Sequence, residues 1–285
     1  MSQVLANAVV VGCTYSLMAV GLNMIYGLLK ILHVAHAGIY VLGAYVGLFL
    51  LKHVCESFWA ALLLSLLAAG IVGVGMFYAL YKPVLRRPRY IALIISAGVF
   101  AASQELFRLI AGPYPYAFPA KISFFDLKTK YFHLNAVQML IIILSMTCFL
   151  FLYFLITRTK IGLAWRACMQ DMDIAGACGV NIYRVISLNF FIGSFLAGLA
   201  GVLVALYRNS VYPTMGAVVS YKAFVVIVLG GLGSMPGAVV ASLVLAMVEG
   251  LLSATPWLEF PRDALAFLTM TLILMFKPKG LFGRF

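Results

Sequence analysis

Carboxylates are scarce in this chain. Its 285 residues include 8 Asp and Glu, and charged side chains of both signs make up only 10%. A water-soluble domain needs a polar shell, so its apolar fraction sits near half. Here 65% of the residues are hydrophobic and the mean hydropathy is +1.09. That shortage of polar side chains excludes a water-facing surface over most of the fold, and the solvent has to be lipid. The five cysteines (Cys13, Cys55, Cys148, Cys168 and Cys178) are scattered without metal-ligand spacing, which argues against a disulfide framework or a metal centre. Cys13 and Cys148 lie inside apolar runs, where a thiol behaves as a small hydrophobe. No cationic side chain precedes the first apolar segment, the first being Lys30, so a cleavable leader is not expected. No Gly-x-x-x-x-Gly-Lys-Ser/Thr loop occurs, so the chain carries no recognisable nucleotide site. Neither a cofactor nor an enzymatic activity of its own is expected.

What the chain does have is basic charge and long apolar runs. Twenty Lys and Arg give a net charge of +12, but they cluster in short breaks between apolar segments. That distribution suits the cytoplasmic loops of a membrane protein and argues against a nucleic-acid partner. Runs of spanning length fall at 4–29, 34–51, 58–81, 90–111, 136–157 and 185–207. A further apolar region, 220–252, is interrupted by Gly230-Gly231-Leu232-Gly233-Ser234-Met235-Pro236, and a short run closes the chain at 264–276. The expected fold is all-α: one polytopic transmembrane bundle over residues 1–285. It has about nine crossings, or about seven if the interrupted region forms a re-entrant hairpin.

Lys30, the cluster Lys82/Arg86/Arg87/Arg89, the set Arg158/Lys160/Arg166/Arg184, and Lys277/Lys279/Arg284 fall on one side, 12 in all. The other side holds six: Lys52, Lys121, Lys128, Lys130, Arg208 and Arg262. The positive-inside rule makes the first side cytoplasmic, with the N-terminus outside and the C-terminus inside. Small residues recur every fourth position at Gly193/Ala197/Gly201, Gly43/Gly47 and Gly233/Gly237/Ala241, the spacing that lets two helices approach closely.

The stretch 158–184 is far longer than a connection between two spans requires. Ala167, Asp171, Ala175 and Gly179 are spaced by four, so on one continuous helix they form a ridge of short side chains. Gly179-Val180-Asn181 then supplies a stop. An interfacial amphipathic helix is one reading, but such helices carry large apolar anchors. A flat Ala/Asp/Gly ridge favours a docking segment for another protein.

The spacing Gly162, Arg166-Ala167, Asp171, Ala175, Gly179-Val180-Asn181, followed by an apolar span, resembles the cytoplasmic coupling segment of the LivH-type permeases. These are the membrane subunits of branched-chain amino acid ABC transporters, a family that also includes permeases for urea and short amides. The first span from Gly12 to Gly27, the glycine turn from Leu229 to Ala238 and the tail from Phe276 to Arg284 resemble that family in the same order. The resemblance implies a permease subunit in a bacterial inner membrane, moving a branched-chain amino acid or a similar small polar solute. It also implies two ATP-binding subunits, a second permease (identical or different) and an extracytoplasmic solute-binding protein. By the same resemblance Gly162, Arg166, Ala167, Asp171, Ala175 and Gly179 form the ATPase-docking surface. One departure is visible: His33-Val34-Ala35-His36-Ala37 stands where the family shows an Asn-Phe-Ala-His-Gly-like sequence, so His36 is kept and the glycine is replaced by Ala37.

Ionisable and polar residues inside spans are costly and default to functional candidates. Glu249 shares a small-residue helical face with Ser242 and Ala246 and could meet a solute ammonium, or else lie at the outer interface. Ser16 and Asn23, nearly aligned on the first span, could hydrogen-bond a passing solute or act as polar glue between helices. Ser16, Asn23, His36 and Glu249 are therefore the expected lining of a translocation path. His33 and His36 are three apart, but no acidic or thiol residue stands nearby to complete a metal site. Glu105 and Arg108 are placed to pair on one helix face. The loop 112–135, rich in Pro and aromatics, is either a contact for the binding protein or an aromatic belt. A self-sufficient secondary transporter or channel, built from a broken helix and a mid-membrane charge, is the alternative from another class.

Overall fold

The structure, a computed structural model, describes residues 2–54, 56–85, 87–119, 126–128, 133–253, 262–277 and 280–282. Cys55, Arg86, Lys121, Lys130, Lys279 and Arg284, named above, lie outside the described residues. In chain order the elements are α1 (Ser2–Leu29), α2 (His36–His53), α3 (Phe58–Met76), α4 (Arg89–Ala111), a two-stranded ribbon of β1 (Leu127–Lys128) and β2 (His133–Leu134), α5 (Ala136–Arg158), α6 (Lys160–Gln170), α7 (Met172–Ala177), α8 (Ile182–Arg208), α9 (Met215–Gly230), α10 (Met235–Ser253) and α11 (Arg262–Phe276). Apart from that short ribbon the described chain is helical, as lipid demands, since helices satisfy their backbone polar groups internally. Helix α3 runs on through a π turn, Phe77–Tyr81, and a 3-10 turn, Lys82–Val84, that ends the element where Pro83 removes a donor.

Among the described residues six helices are long and apolar enough to cross a membrane: α1, α3 with its extension, α4, α5, α8 and α10. The interrupted region resolves into two helices, α9 and α10, broken at 231–234. Gly231 (φ +100°) and Gly233 (φ +84°) hold backbone conformations that L side chains resist. At 16 residues α9 is about 24 Å long by the helical rise. That is short of a hydrocarbon core of about 30 Å.

The centre of the bundle is α1 against α8 and α10. Some 83% of α1's apolar window is buried, against 11% for α4, so α1 is the hub and α4 the rim. The close approaches are made by the small residues spaced by four. A Cβ on Gly193 would lie 2.9 Å from the Gly21 carbonyl, one on Gly43 2.6 Å from the Gly198 Cα, and one on Gly201 2.0 Å from the Tyr40 carbonyl. Backbone therefore packs on backbone where α8 crosses α1 and α2. Leu109, Ile110 and Leu150, on the outward faces of α4 and α5, are exposed, as lipid-facing side chains are.

Two helices begin inside the bundle rather than at its ends. His36, the first residue of α2, packs against Gly21, eight residues short of the end of α1, hence about 12 Å in from it. Near the start of α9, Gly216 lies against the Ala37 carbonyl and Val41 of α2. From that meeting point α2 runs toward the end of the bundle holding Arg208, and α9 runs back to the end holding Leu29. Ala37, where the resemblance above implies a glycine, is fully buried within α2 and needs no positive φ, so an alanine there costs no backbone strain.

Part of the aromatic loop is packed down on the bundle. Tyr116 pairs with Val211, the Phe118 N–H donates to Asn209 Oδ1, and the Phe118 ring is buried beside Gly47.

These contacts predict that Gly201→Val, which forces apart the backbones of α8 and α2, destabilises the protein by about 3 kcal/mol or more. Gly75→Ala, at a site with open space around its Cα, is neutral or stabilising by up to about 1 kcal/mol. Thermal unfolding of the two variants in lipid nanodiscs checks the contrast.

Candidate functional site

The segment between α5 and α8 folds as two short helices rather than one. At the α5–α6 elbow the Thr159 hydroxyl accepts from the Gly162 N–H. Gly162 sits so tightly that an added Cβ would lie 2.3 Å from the Ile156 carbonyl. The chain then leaves the helical region at Asp171 (φ −155°), whose carboxylate accepts from the N–H groups of Asp173 and Ile174 and caps α7. The expected single ridge of Ala167, Asp171, Ala175 and Gly179 is thus broken: an aspartate that can cap favours a new helix start over a helix interior. Gly179 (φ +85°) ends α7, with the Val180 N–H returning to the Ala175 carbonyl, and the Asn181 side chain caps α8.

The six docking candidates are divided by this geometry. Arg166, Asp171 and Gly179 are exposed, Ala167 is half-buried, and Gly162 and Ala175 are buried. Leu163 and Ile174 are apolar yet more than 60% exposed, and sequence spacing did not single them out. The inward face of α6 carries Trp165, Cys168 and Met169. Burial pushes the Cys168 thiol pKa up, so it stays protonated and acts as core. The Met169 methyl lies 3.2 Å from a Cβ built on Gly27 of α1 and 3.4 Å from one built on Gly233. Segment 158–184 therefore rests directly on the end of α1 and on the glycine turn between α9 and α10.

That turn is held from α1 by Asn23. Its amide nitrogen donates to the Ser234 carbonyl (2.8 Å) and its amide oxygen accepts from the Gly233 N–H (2.7 Å). The Ser234 hydroxyl accepts from the Gly237 N–H at the start of α10. From the chain's tail, the N–H groups of Leu281 and Phe282 donate to the carbonyls of Leu229 and Gly230, the open end of α9. The turn is a fastened joint.

The four expected path residues do not converge. Asn23 is at the joint. Ser16 bonds back to the Cys13 carbonyl of its own helix. His36 is fully buried against Gly21 and the Met18 backbone. Glu249 is also buried, but paired: the Lys222 ammonium on α9 lies 2.9 Å and 3.0 Å from its two carboxylate oxygens. The Tyr15 hydroxyl on α1 donates to Glu249 at 3.1 Å and accepts from Lys222 at 3.0 Å. Neither Lys222 nor Tyr15 is among the path residues expected from sequence. The signal available was that a lone lysine and a lone glutamate in neighbouring apolar runs each need the other. The Glu105–Arg108 pair does form, at 3.5 Å, but it is solvent- or lipid-exposed and worth little.

Two cavities flank α9. One, of about 320 Å³, is lined by Leu22, His33, Phe100, Ser220, Tyr221 and Phe224. The other, about 50 Å³, is lined by Tyr15, Tyr40, Tyr207, Arg208, Tyr212 and Met215, toward the end of the bundle away from the joint. Ala217, Ser220 and Phe224 face the first cavity, while Met215, Val218 and Val219 face the second. Helix α9 is thus a wall between two spaces, tied at one end to the joint and at its middle to α10 and α1. Among the described residues no group of His, Cys, Asp and Glu could hold a metal ion.

Comparison with known proteins identifies the family. Residues 4–276 match the model of a family described as branched-chain amino acid transport system, permease component. The high-affinity branched-chain amino acid transport system permease protein LivH of Escherichia coli is 33% identical over 302 residues, covering 99% of this chain and 95% of its own. The corresponding permease protein BraD of Pseudomonas aeruginosa is 30% identical, with the same coverage. The permease protein LivM of Escherichia coli is 27% identical over 94% of this chain and 67% of its own. No solved structure matches the chain significantly.

The buried triad gives a sign-specific expectation. Lys222→Met leaves a carboxylate buried without its cation and lowers stability by about 3–5 kcal/mol. Adding Glu249→Leu recovers most of that loss. Unfolding of the single and double variants in nanodiscs measures both, and a single variant as stable as the parent would show the pair to be solvated.

Proposed function

Because the chain belongs to the family of permease components of branched-chain amino acid transport systems, we propose that it moves a branched-chain amino acid through the bundle, driven by ATPases that press on segment 158–184. It is a multi-pass membrane protein and the permease subunit of an ABC importer; nucleotide hydrolysis resides in separate subunits. The partners in this reading are two ATP-binding subunits, a second permease and an extracytoplasmic binding protein, in a bacterial inner membrane. A second permease fits the likeness to both LivH and LivM, two permease proteins named for one kind of transport system.

The orientation follows from charge. The Lys30 end of α1, segment 158–184 and the tail after α11 lie together by their contacts at the joint. In sequence they carry eight of the twelve basic residues assigned above to the richer side, so this end is cytoplasmic and the N-terminus is outside. At the other end Lys52 lies over the Tyr116 ring, which pairs beside Val211.

The observation that carries the docking reading is the two-sidedness of segment 158–184. Its inner face, through Met169, bears on the joint, while its outer face presents Leu163, Arg166, Asp171 and Ile174 to an occupant. A push on α6 and α7 reaches Gly233, then α9, then the two cavities. Alternating access then consists of α9 shifting between its flanking spaces while α3 and α8 hold the frame. The self-sufficient transporter is less favoured, because a docking face has no task in it and the named relatives are permease proteins of larger systems.

Ile174→Asp and Arg166→Glu, exposed substitutions that leave the inner face intact, are expected to lower co-purification of the ATP-binding subunits about tenfold, as for central interface residues. Uptake should fall with it while the chain still inserts. Full recovery of the ATPases with both variants would sink the docking reading.

A further inference from the structure

The small cavity beside α9 has a lining of two chemical kinds. Val11, Val204, Val218 and Val219 are aliphatic. Arg208 and the tyrosines Tyr40, Tyr207 and Tyr212 are cationic or phenolic. Among the described residues no carboxylate lies within salt-bridge distance of Arg208. The Tyr40 side chain is fully buried, and its hydroxyl has no hydrogen-bond partner. A buried hydroxyl without a partner is costly, so its persistence calls for an occupant. The charged and phenolic groups facing that hydroxyl are Arg208, Tyr212 and Tyr15, all of them in the cavity wall.

Helix α9 opens onto the same space. Its first residue, Met215, lines the cavity, and the preceding Thr214 makes no side-chain cap. The N-terminus of a 16-residue helix, left uncapped by a side chain, directs partial positive charge there. A guanidinium, a donor hydroxyl and a helix N-terminus at one space, with aliphatic side chains in the same lining, form a receptor for an anionic head with a short apolar body.

We propose that this cavity binds the carboxylate of a small aliphatic amino acid during transport, with Arg208 and the Tyr40 hydroxyl as its direct contacts. The assignment rests on the permease reading above and adds the residues that recognise the solute. At about 50 Å³ the space admits a head group and not a whole amino acid. Admitting the aliphatic part takes a wider form of the site, with the first turns of α9 moved away from α2. This joins recognition to the helix that the joint controls.

The test uses the full transporter complex in proteoliposomes carrying Ser210→Cys, a cavity-wall position, with thiol labelling read by mass spectrometry at residue 210. Leucine and isovalerate, which carry a carboxylate, should slow labelling about tenfold, and leucinamide, which lacks it, should not. Adding Tyr40→Phe, which removes only the unpartnered hydroxyl, or Arg208→Gln should abolish the protection. Tyr45→Phe, which deletes another buried hydroxyl without a partner but lies outside the cavity, should leave it intact. Equal protection by leucinamide, no protection by any of the three, or carboxylate protection that survives Tyr40→Phe overturns the proposal. Leucine uptake by the parent complex is measured in parallel. Absent uptake with intact protection defeats the solute reading and leaves the site standing, whereas normal uptake without protection defeats the site alone.

Discussion

Asn23 holds the turn on which the rest of this molecule turns. A helix broken by glycines inside an apolar bundle exposes backbone groups that lipid cannot satisfy, and each left bare costs several kcal/mol. The Asn23 amide, with one donor and one acceptor face, closes both the Ser234 carbonyl and the Gly233 N–H. The tail closes the last carbonyls of α9 from the other side. With its polar groups satisfied, the break is a defined joint instead of a disordered gap. Because Met169 of α6 rests against the same turn, anything that moves α6 meets the joint at the end of α9.

The frame around that joint is built on absence of side chains. Where α8 crosses α1 and α2, glycine faces backbone, and dispersion between close-packed backbones replaces the hydrophobic drive that lipid does not supply. Such an interface is intolerant of small shifts, which suits a frame. Helix α9 is different: it is short, lies between two cavities, and is tied across by a buried ion pair to α10 and by Tyr15 to α1. Buried pairs add little net stability but fix register strongly. We take the triad as the element that keeps α9 in a defined position on each side of its excursion.

Much of this was legible in sequence. Composition forced a lipid solvent, the small-residue repeats predicted the close helix crossings, and the glycine run predicted the break. The length of 158–184 predicted an element of its own, and it folds as α6 and α7; the resemblance of its motif and of three other stretches pointed to the family that the comparisons show. Three things were not legible. The four-residue ridge through Asp171 looked continuous because periodicity does not register that a capping carboxylate starts a new helix. Asn23 read as either a path residue or polar glue between helices, and one stretch of sequence cannot reveal that its partner lies 211 positions away. The partner of Glu249, Lys222, was hidden for the same reason, and the cavity at Tyr40 and Arg208 is assembled from four helices that no local pattern joins.

The most direct measurement of the central claim is a set of spin-label distances in the assembled complex, with labels at Cys178 at the end of α7, Val218 on α9 and Ile71 on α3, compared before and after nucleotide binding. If the joint transmits the push, the 178–218 distance stays fixed while 71–218 changes. A 71–218 distance that stays constant while 71–178 changes would mean that the docking segment moves without α9, and the account would fail.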